Sequence, residues 1–377
     1  MRYFLLFISF IWVGHVSSQT IQISLFNSKN INAYTLSIRQ GRYILEGDGE
    51  KLAEYKKNSI FFINRRGNKL ELRDRNSQIG IFKEVKFVNQ DENCISLLRG
   101  VNPTTKTREY NDAIAFRVND SKLRAINHID LEKYIAAVIE AEGGASATLE
   151  YYKAQAVLVR TYTIKSIYKH AEEGFNLCDE VHCQAYHGRS SLNPDIYKAT
   201  RATAGEVLID SDSILCMTPF HSNCGGQTSA AGIYWQSDLS YLKSVFDPFC
   251  TDHKNASWHK EVSLLDWEGF LQLKGIQDTE SFMNYRLSKR QKYFSEQYNI
   301  TLRNIREHFR LRSTFFSIEP TENGILFKGK GYGHGIGMCQ IGAMEMANVG
   351  YTYLDIIHFY FQHVTLTDYR EMELERY

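Results

Sequence analysis

"DLEKYIAAVIEAEGG", Asp130 to Gly144, is the stretch from which the rest of the chain can be ordered. Asp130 is a good helix N-cap, because its side chain can accept from a backbone N–H of the first turn. Leu131, Tyr134, Ile135, Val138 and Ile139 fall at helical spacing on one apolar stripe. Gly143-Gly144 ends the helix. Glu142 continues the stripe, eleven positions after Leu131. A carboxylate on a buried stripe is costly in its charged form, and desolvation favours the protonated form that a general acid needs. A buried Glu satisfied by a lysine or a backbone group gives the same pattern, so the spacing leaves both readings open. Glu140 falls off the stripe and reads as solvated.

Upstream, from Ile21 to about Arg108, short alternating segments such as "IQISLF", "TLSIRQGRYILEG" and "KLELRD" predict strands with turns at Gly and Asn. "AIAFRV", "NDS" and "KLRAINHI" then predict a hairpin that delivers the chain to Asp130. Downstream, "TLEYYKAQAVLVRTYTIKSIYKHAEEG" predicts a second helix from Thr148 to Gly174. "GEVLIDSDSILCMTPF" reads as another hairpin, "LLDWEGFLQLKG" and "TLRNIREHFRLRS" as helices, and "GILFKG" as a strand. "CQIGAMEMANVG" and "TYLDIIHFYF" read as the last two helices. The fold class is therefore α+β. A β-rich N-terminal region, 19–108, precedes a mixed α/β domain, 109–377, which would carry a substrate groove.

The bulk numbers narrow the function. The 377 residues are 43% hydrophobic and 23% charged, as in an ordinary folded protein. The net charge is +1 and the cations are scattered, so nothing supports a nucleic-acid partner. "YFLLFISFIWV" after Met1-Arg2 reads as a signal-peptide core, with cleavage near Ser18. Residues 1–18 would then be a leader, and the mature protein would be exported to the periplasm or cell envelope. Seven cysteines in such a chain make disulfides possible, and their odd number leaves at least one over.

Three further stretches carry chemistry. "CDEVHC" gathers Cys178, His182 and Cys183, with His170 and His187 close by. Zinc favours thiolate and imidazole ligands, although the spacing is not that of a zinc finger. A Cys178–Cys183 disulfide, or two free buried cysteines, is the alternative. "FHSNCGGQT" puts His221, Ser222, Cys224, Gln227 and Thr228 on a glycine-rich loop, where backbone can approach a ligand closely. A tight turn, or a Cys224–Cys250 disulfide, is the plainer reading. "GKGYGHGIGMCQIGA", Gly329 to Ala343, is a glycine-lined turn between a strand and a helix. It fails the dinucleotide fingerprint, which needs glycine where Ile336 stands, and it lacks the Lys-Ser or Lys-Thr of a phosphate loop. No nucleotide is expected. His334 and Gln340 suit contacts to a neutral polar ligand such as a sugar.

Four stretches, in order, resemble the motifs of the SpoIID/LytB family of stage II sporulation protein D and amidase-enhancer proteins. They are "LEKYIAAVIEAE", "KAQAVLVRTY", "PFHSNCGGQT" with "YLKSVFDPF", and "GYGHGIGMCQIGA". The resemblance spans about Tyr110 to Phe361. It implies a peptidoglycan lytic transglycosylase that cuts glycan strands, denuded ones by preference, to 1,6-anhydro-muramic ends. The catalytic Glu of the first motif falls on Glu142, and no cofactor is required for the chemistry. Lys153, Gln155 and Arg160 would orient the acid or pack beneath it. His221, Ser222, Gln227, Thr228, His334 and Gln340 would line the groove. A structural zinc on Cys178, Cys183 and one histidine, His170 or His182, is implied from some members. The other branch implies a different role, that of a non-catalytic wall-binding enhancer with a cell-wall amidase as partner. The chain departs from the pattern at Gly143-Gly144, where Met-Pro is frequent, at Ala137 for Gly, and at Cys339 for Ser. The last is nearly isosteric with a weaker hydrogen bond, which marks Cys339 as a minor residue.

Overall fold

The computed structural model describes residues 19–235 and 238–372; the expected leader, residues 1–18, lies outside the described residues. Twelve strands come first: β1 (Thr20–Leu25), β2 (Ala33–Gln40), β3 (Arg42–Gly47), β4 (Glu50–Lys56), β5 (Ile60–Arg66), β6 (Lys69–Arg73), β7 (Gln78–Phe82), β8 (Glu84–Asn89), β9 (Ile95–Asn102), β10 (Arg108–Asn111), β11 (Ala113–Asn119) and β12 (Lys122–Asp130). They form two sheets. One runs β1-β12-β11-β8-β3-β4, with β13 (Leu177–Cys178) added parallel on β1, and the other runs β10-β9-β2-β5-β6-β7. Alternation decides which side chains go inside. In β2, Tyr34, Leu36 and Ile38 are buried while their neighbours are not. The inner faces meet through rings, Phe61 against Phe87 at 4.7 Å and Tyr34 against Phe116 at 5.6 Å between centroids. The pairing crosses residue 108, so the N-terminal region shares both sheets with residues 108–130.

The β11–β12 hairpin turns at Asp120-Ser121, both at positive φ, the geometry that suits two-residue hairpins. It feeds directly into α1 (Leu131–Gly143), where the Asp130 carboxylate accepts from the Lys133 N–H as a cap should. α2 (Leu149–Lys165) is buried on nearly every side, which makes it the central helix rather than an amphipathic one. It stops at Lys165, short of the Gly174 expected from sequence. The chain turns there, and a single 3-10 turn, Ala171–Glu173, ends on Gly174 at φ +83. That break lets His170 fold back toward the thiols of the next loop.

α3 (Pro194–Ala202), β14 (Glu206–Ile209), β15 (Phe220–His221) and α4 (Ala231–Tyr234) follow. Residues 257–330 then form a body with its own core. β16 (Ser257–Ser263), α5 (Leu264–Leu273), β17 (Tyr293–Ser295), β18 (Ile300–Thr301), α6 (Leu302–His308), β19 (Phe315–Thr321) and β20 (Gly324–Lys330) surround Trp267. Its ring lies 5.8–5.9 Å from those of Phe270, Phe294, Phe309 and Phe327. The chain then re-enters the main body as β21 (Met338–Cys339), parallel to β15, and continues as α7 (Gln340–Asn348), α8 (Tyr353–Tyr360) and β22 (Thr365–Asp368) on β14.

Candidate functional site

Glu142 stands in the last turn of α1. The stripe is buried as far as Ile139, and Glu142 itself is half-buried. Its Oε1 accepts from the Ala185 N–H at 2.9 Å, and its backbone carbonyl accepts from Gln340 Nε2 at 3.2 Å. Among the described residues, its second carboxylate oxygen has no protein hydrogen bond. Gly143 explains itself sterically, since a Cβ there would lie 2.5 Å from the Tyr151 hydroxyl. That hydroxyl donates to Gln155 Oε1 at 3.3 Å, and Gln155 is wholly buried, beneath the acid's helix end. Glu140 is not solvated as the sequence suggested. Its Oε2 accepts from the Ser190 hydroxyl and from the Ser191 and Leu192 N–H groups, tying the following loop to α1.

The other residues of the KAQA helix face elsewhere. Lys153 pairs with Glu150 at 2.6 Å and lies over the Tyr353 ring. Arg160 is fully buried. Its guanidinium grips Glu132 in bidentate fashion at 2.9 and 2.6 Å and donates to the Thr200 and Glu206 carbonyls. Glu132 and Glu142 are ten residues apart on one helix, about 15 Å at 1.5 Å per residue. Arg160 is thus no groove residue: it joins α1, α2, α3 and β14. A cavity of about 740 Å³ opens near this end of α1, against Asp112, Glu132 and Lys133, and none of the residues expected to hold substrate lines it.

The two glycine-rich motifs meet through β15 and β21, with His221 opposite Cys339 and the Ile341 N–H donating to the Ser222 carbonyl at 3.1 Å. Ser222 therefore neighbours Gln340, the residue that touches Glu142. His221 is buried, its Nδ1 is 3.1 Å from the Ile336 carbonyl, and its Nε2 has no partner among the described residues. His334 Nδ1 accepts from the Ile336 N–H at 3.0 Å, and its ring packs against those of His221 and Tyr234 at 5.5 and 6.1 Å. Burial holds His221 well below the usual imidazole range and His334 at about 4, so both are neutral near pH 7. Gln227 accepts from Arg290 through its backbone carbonyl at 2.6 Å. Thr228 is buried, and its hydroxyl accepts from the Val245 N–H at 2.8 Å, which makes it a loop brace rather than a ligand contact.

Two predictions follow from these motifs. A histidine whose folded pKa is depressed leaves the unfolded chain binding more protons between about 6.5 and 4, so stability is lost as pH falls through that window. For His334 the loss between pH 7 and pH 5 is about 2 kcal/mol. Urea melts should show a smaller drop over that range for His334→Gln than for wild type. Gly337 sits at φ +69 with the Pro219 carbonyl oxygen 2.1 Å from where a Cβ would be. Gly337→Ala should lower stability by about 2 kcal/mol or more in the same assay.

A second constellation lies next to the acid. His170, Cys178, His182 and Cys183 each offer one ligand atom, and all four lie within 4.8 Å of one another. The sulfurs are 3.5 Å apart, Cys183 Sγ is 3.5 Å from His170 Nε2, and His182 Nδ1 is 3.9 and 3.8 Å from the two sulfurs. Tetrahedral zinc with Zn–S near 2.3 Å needs edges of about 3.5–3.8 Å, so the set fits. Both histidines reach the thiols, not one of them as expected. His170 Nδ1 bonds Glu173 at 2.7 Å, the outer carboxylate that commonly orients a metal-binding imidazole. The hydrogen bond from Cys178 draws the Cys183 thiol down to about 7. Ala185, whose N–H holds Glu142, is two residues beyond Cys183. The sequence carried no sign of that link or of Tyr151, because a backbone donor and a packed tyrosine have no motif.

Residues 119–209 match the family model described as stage II sporulation protein, SpoIID. An uncharacterized protein of Brachyspira hyodysenteriae is 28% identical over 309 residues, covering 79% of this chain and 81% of that protein. Stage II sporulation protein D of Bacillus amyloliquefaciens is 28% identical over 291 residues, with 72% and 82% covered. The amidase enhancer of Bacillus subtilis is 28% identical over 292 residues, 62% of this chain and 40% of the enhancer. With its four motifs in order and a SpoIID match over 119–209, the chain is similar along most of its length to proteins of the SpoIID/LytB family.

Proposed function

We propose that this protein acts on the cell wall as a lytic transglycosylase, with Glu142 as general acid and then general base. Likeness to stage II sporulation protein D and to an amidase enhancer supports the cell-wall role. The observation that carries the chemistry is the setting of Glu142: one oxygen held by the Ala185 N–H, the other without a protein partner among the described residues, on a half-buried helix end braced by Gln340. Protonated Glu142 gives its proton to the glycosidic oxygen between muramic and glucosamine sugars. The C1–O bond breaks, the carboxylate takes the proton of the muramic 6-hydroxyl, and O6 bonds to C1. No water is consumed, and the nucleophile is part of the substrate, so proximity is built in. A two-carboxylate glycosidase would need a second acid facing the first. Glu140, two positions earlier, points about 200° around the helix and is committed to the 190–192 loop.

Ser222 and Gln340 would contact the sugar, and the unpartnered His221 Nε2 supports a hydroxyl contact if the loop opens to it. Zinc on His170, Cys178, His182 and Cys183 would take no part in bond breaking. It would fix the loop whose Ala185 N–H aims the acid. The protein would work in the periplasm or envelope after loss of its leader. Likeness to an amidase enhancer favours a second reading, in which the same groove binds wall glycan and stimulates a partner amidase without cutting. Mass spectrometry of denuded strands digested with wild type and with Glu142→Gln separates the two. Anhydro-muramic ends made only by wild type support the enzyme. Their absence in both, with amidase stimulation intact in both, supports the enhancer.

A further inference from the structure

A third chemical cluster is independent of both sites above. Cys224, Asp247, Cys250 and Cys339 are all buried, and one ligand atom from each lies within 4.8 Å of the others. Cys224 Sγ is 3.3 Å from Cys250 Sγ and 3.2 Å from Asp247 Oδ2. Nothing in the glycan chemistry uses these groups. They come from three segments far apart in sequence: the loop after β15, the turn at 247–250, and the N-terminal end of α7.

The surroundings suit bound anionic sulfur. Cys339 Sγ accepts from the Cys224 N–H at 3.2 Å and from the Gly342 N–H at 3.4 Å, the latter at the positive end of α7. Asp247 is oriented by the Tyr360 hydroxyl at 2.9 Å on Oδ2 and the Phe249 N–H at 3.0 Å on Oδ1. These are the outer contacts that fix metal-binding carboxylates. Arg290 brings a buried guanidinium, donating to the Cys224 carbonyl at 2.6 Å, and its Nη1 has no partner among the described residues. Three thiolates and a carboxylate around a divalent ion leave a charge of −2, which Arg290 partly offsets.

A Cys224–Cys250 disulfide is the competing use of these residues. It would consume two sulfurs and leave the third, Cys339 with its two N–H donors, and the oriented Asp247 carboxylate outside the bridge. A tetrahedral divalent ion uses all four groups, and Zn–S bonds near 2.3 Å require sulfur separations of about 3.8 Å, a small expansion of the present cluster. We propose that Cys224, Asp247, Cys250 and Cys339 form a second, structural zinc centre, distinct from the one at His170, Cys178, His182 and Cys183. It would clamp β15 to β21 from behind and so set the spacing of Ser222 and Gln340. Cys339, where a serine is usual, is then the residue that completes the site, and the minor role read for it from sequence is withdrawn.

The test is the metal content of the full chain purified without chelator. Cys339→Ser, a near-isosteric change expected to fold, should lose one zinc atom per chain relative to wild type. The loss should also occur in a Cys178→Ser/Cys183→Ser background, which removes the other centre. Cobalt added to that double variant, with the four residues here intact, should give an intense thiolate-to-cobalt absorption, and this readout does not depend on how Cys339→Ser folds. Unchanged zinc in Cys339→Ser, no cobalt–thiolate band in the double variant, or an unreduced intact mass showing Cys224 joined to Cys250 would each overturn the proposal. None of these readouts depends on glycan cleavage.

Discussion

Glu142→Gln is expected to lower the release of anhydro-muramic ends at least about 10²–10⁴-fold, the usual contribution of a positioned acid–base group. The amide keeps an oxygen for the Ala185 N–H and the same shape, so its unfolding midpoint in urea should stay close to that of wild type. The variant therefore separates chemistry from folding. Strand binding should survive, because the amide N–H can still donate to the glycosidic oxygen without transferring a proton. Full activity in Glu142→Gln would end the assignment.

Arg160→Ala should produce the largest loss of stability of any single change considered, about 3–5 kcal/mol, since it empties the site of a fully buried guanidinium and leaves the partly buried Glu132 carboxylate without its partner. The Thr200 and Glu206 carbonyls lose their donors at the same time. Urea denaturation measures the loss directly. Lysine should not rescue it, because a single ammonium cannot reproduce the planar fork. A mild effect in both variants would show that the α1–α2–α3 junction is held by apolar packing alone. The same variants distinguish a structural arginine from a groove residue: wherever folded protein is recovered, its affinity for glycan should be unchanged.

The helices, the early strands and the acid at the end of α1 were legible because periodicity and caps are local. Asp130 caps where expected, and the 120–121 turn closes the hairpin. The KAQA helix misled in two ways. Lys153, Gln155 and Arg160 share one helix, but helical rotation sends them to a surface pair, a buried amide and a four-element junction. The strip after Lys165 kept a helical composition, yet the tertiary demand of bringing His170 to Cys183 ended the helix. Glu140 looked solvated because its partners are backbone N–H groups fifty residues later. The cluster at Cys339 was only partly legible: Cys224 and Cys250 could be paired from sequence, but Cys339 lies 89 residues beyond Cys250, and no spacing rule reaches that far.

The body at 257–330 has one property with a wider consequence. Its first and last strands are hydrogen-bonded neighbours, Ser257 opposite Lys330, so the chain leaves and returns at nearly one point. Loop-closure entropy rises only slowly with length when the two ends are already together. The number of residues inserted there can therefore change greatly at little thermodynamic penalty to the parent scaffold. Among the ties between the body and the rest are a buried guanidinium, Arg290, reaching the Cys224 and Gln227 carbonyls, and Arg306, donating to the Tyr234 hydroxyl at 2.9 Å. In relatives with a shorter or absent insert, the Arg290 cation should vanish with it, and the third cysteine should vanish alongside. Comparing insert length with the residue aligned to Cys339 across the family would reveal whether the two travel together.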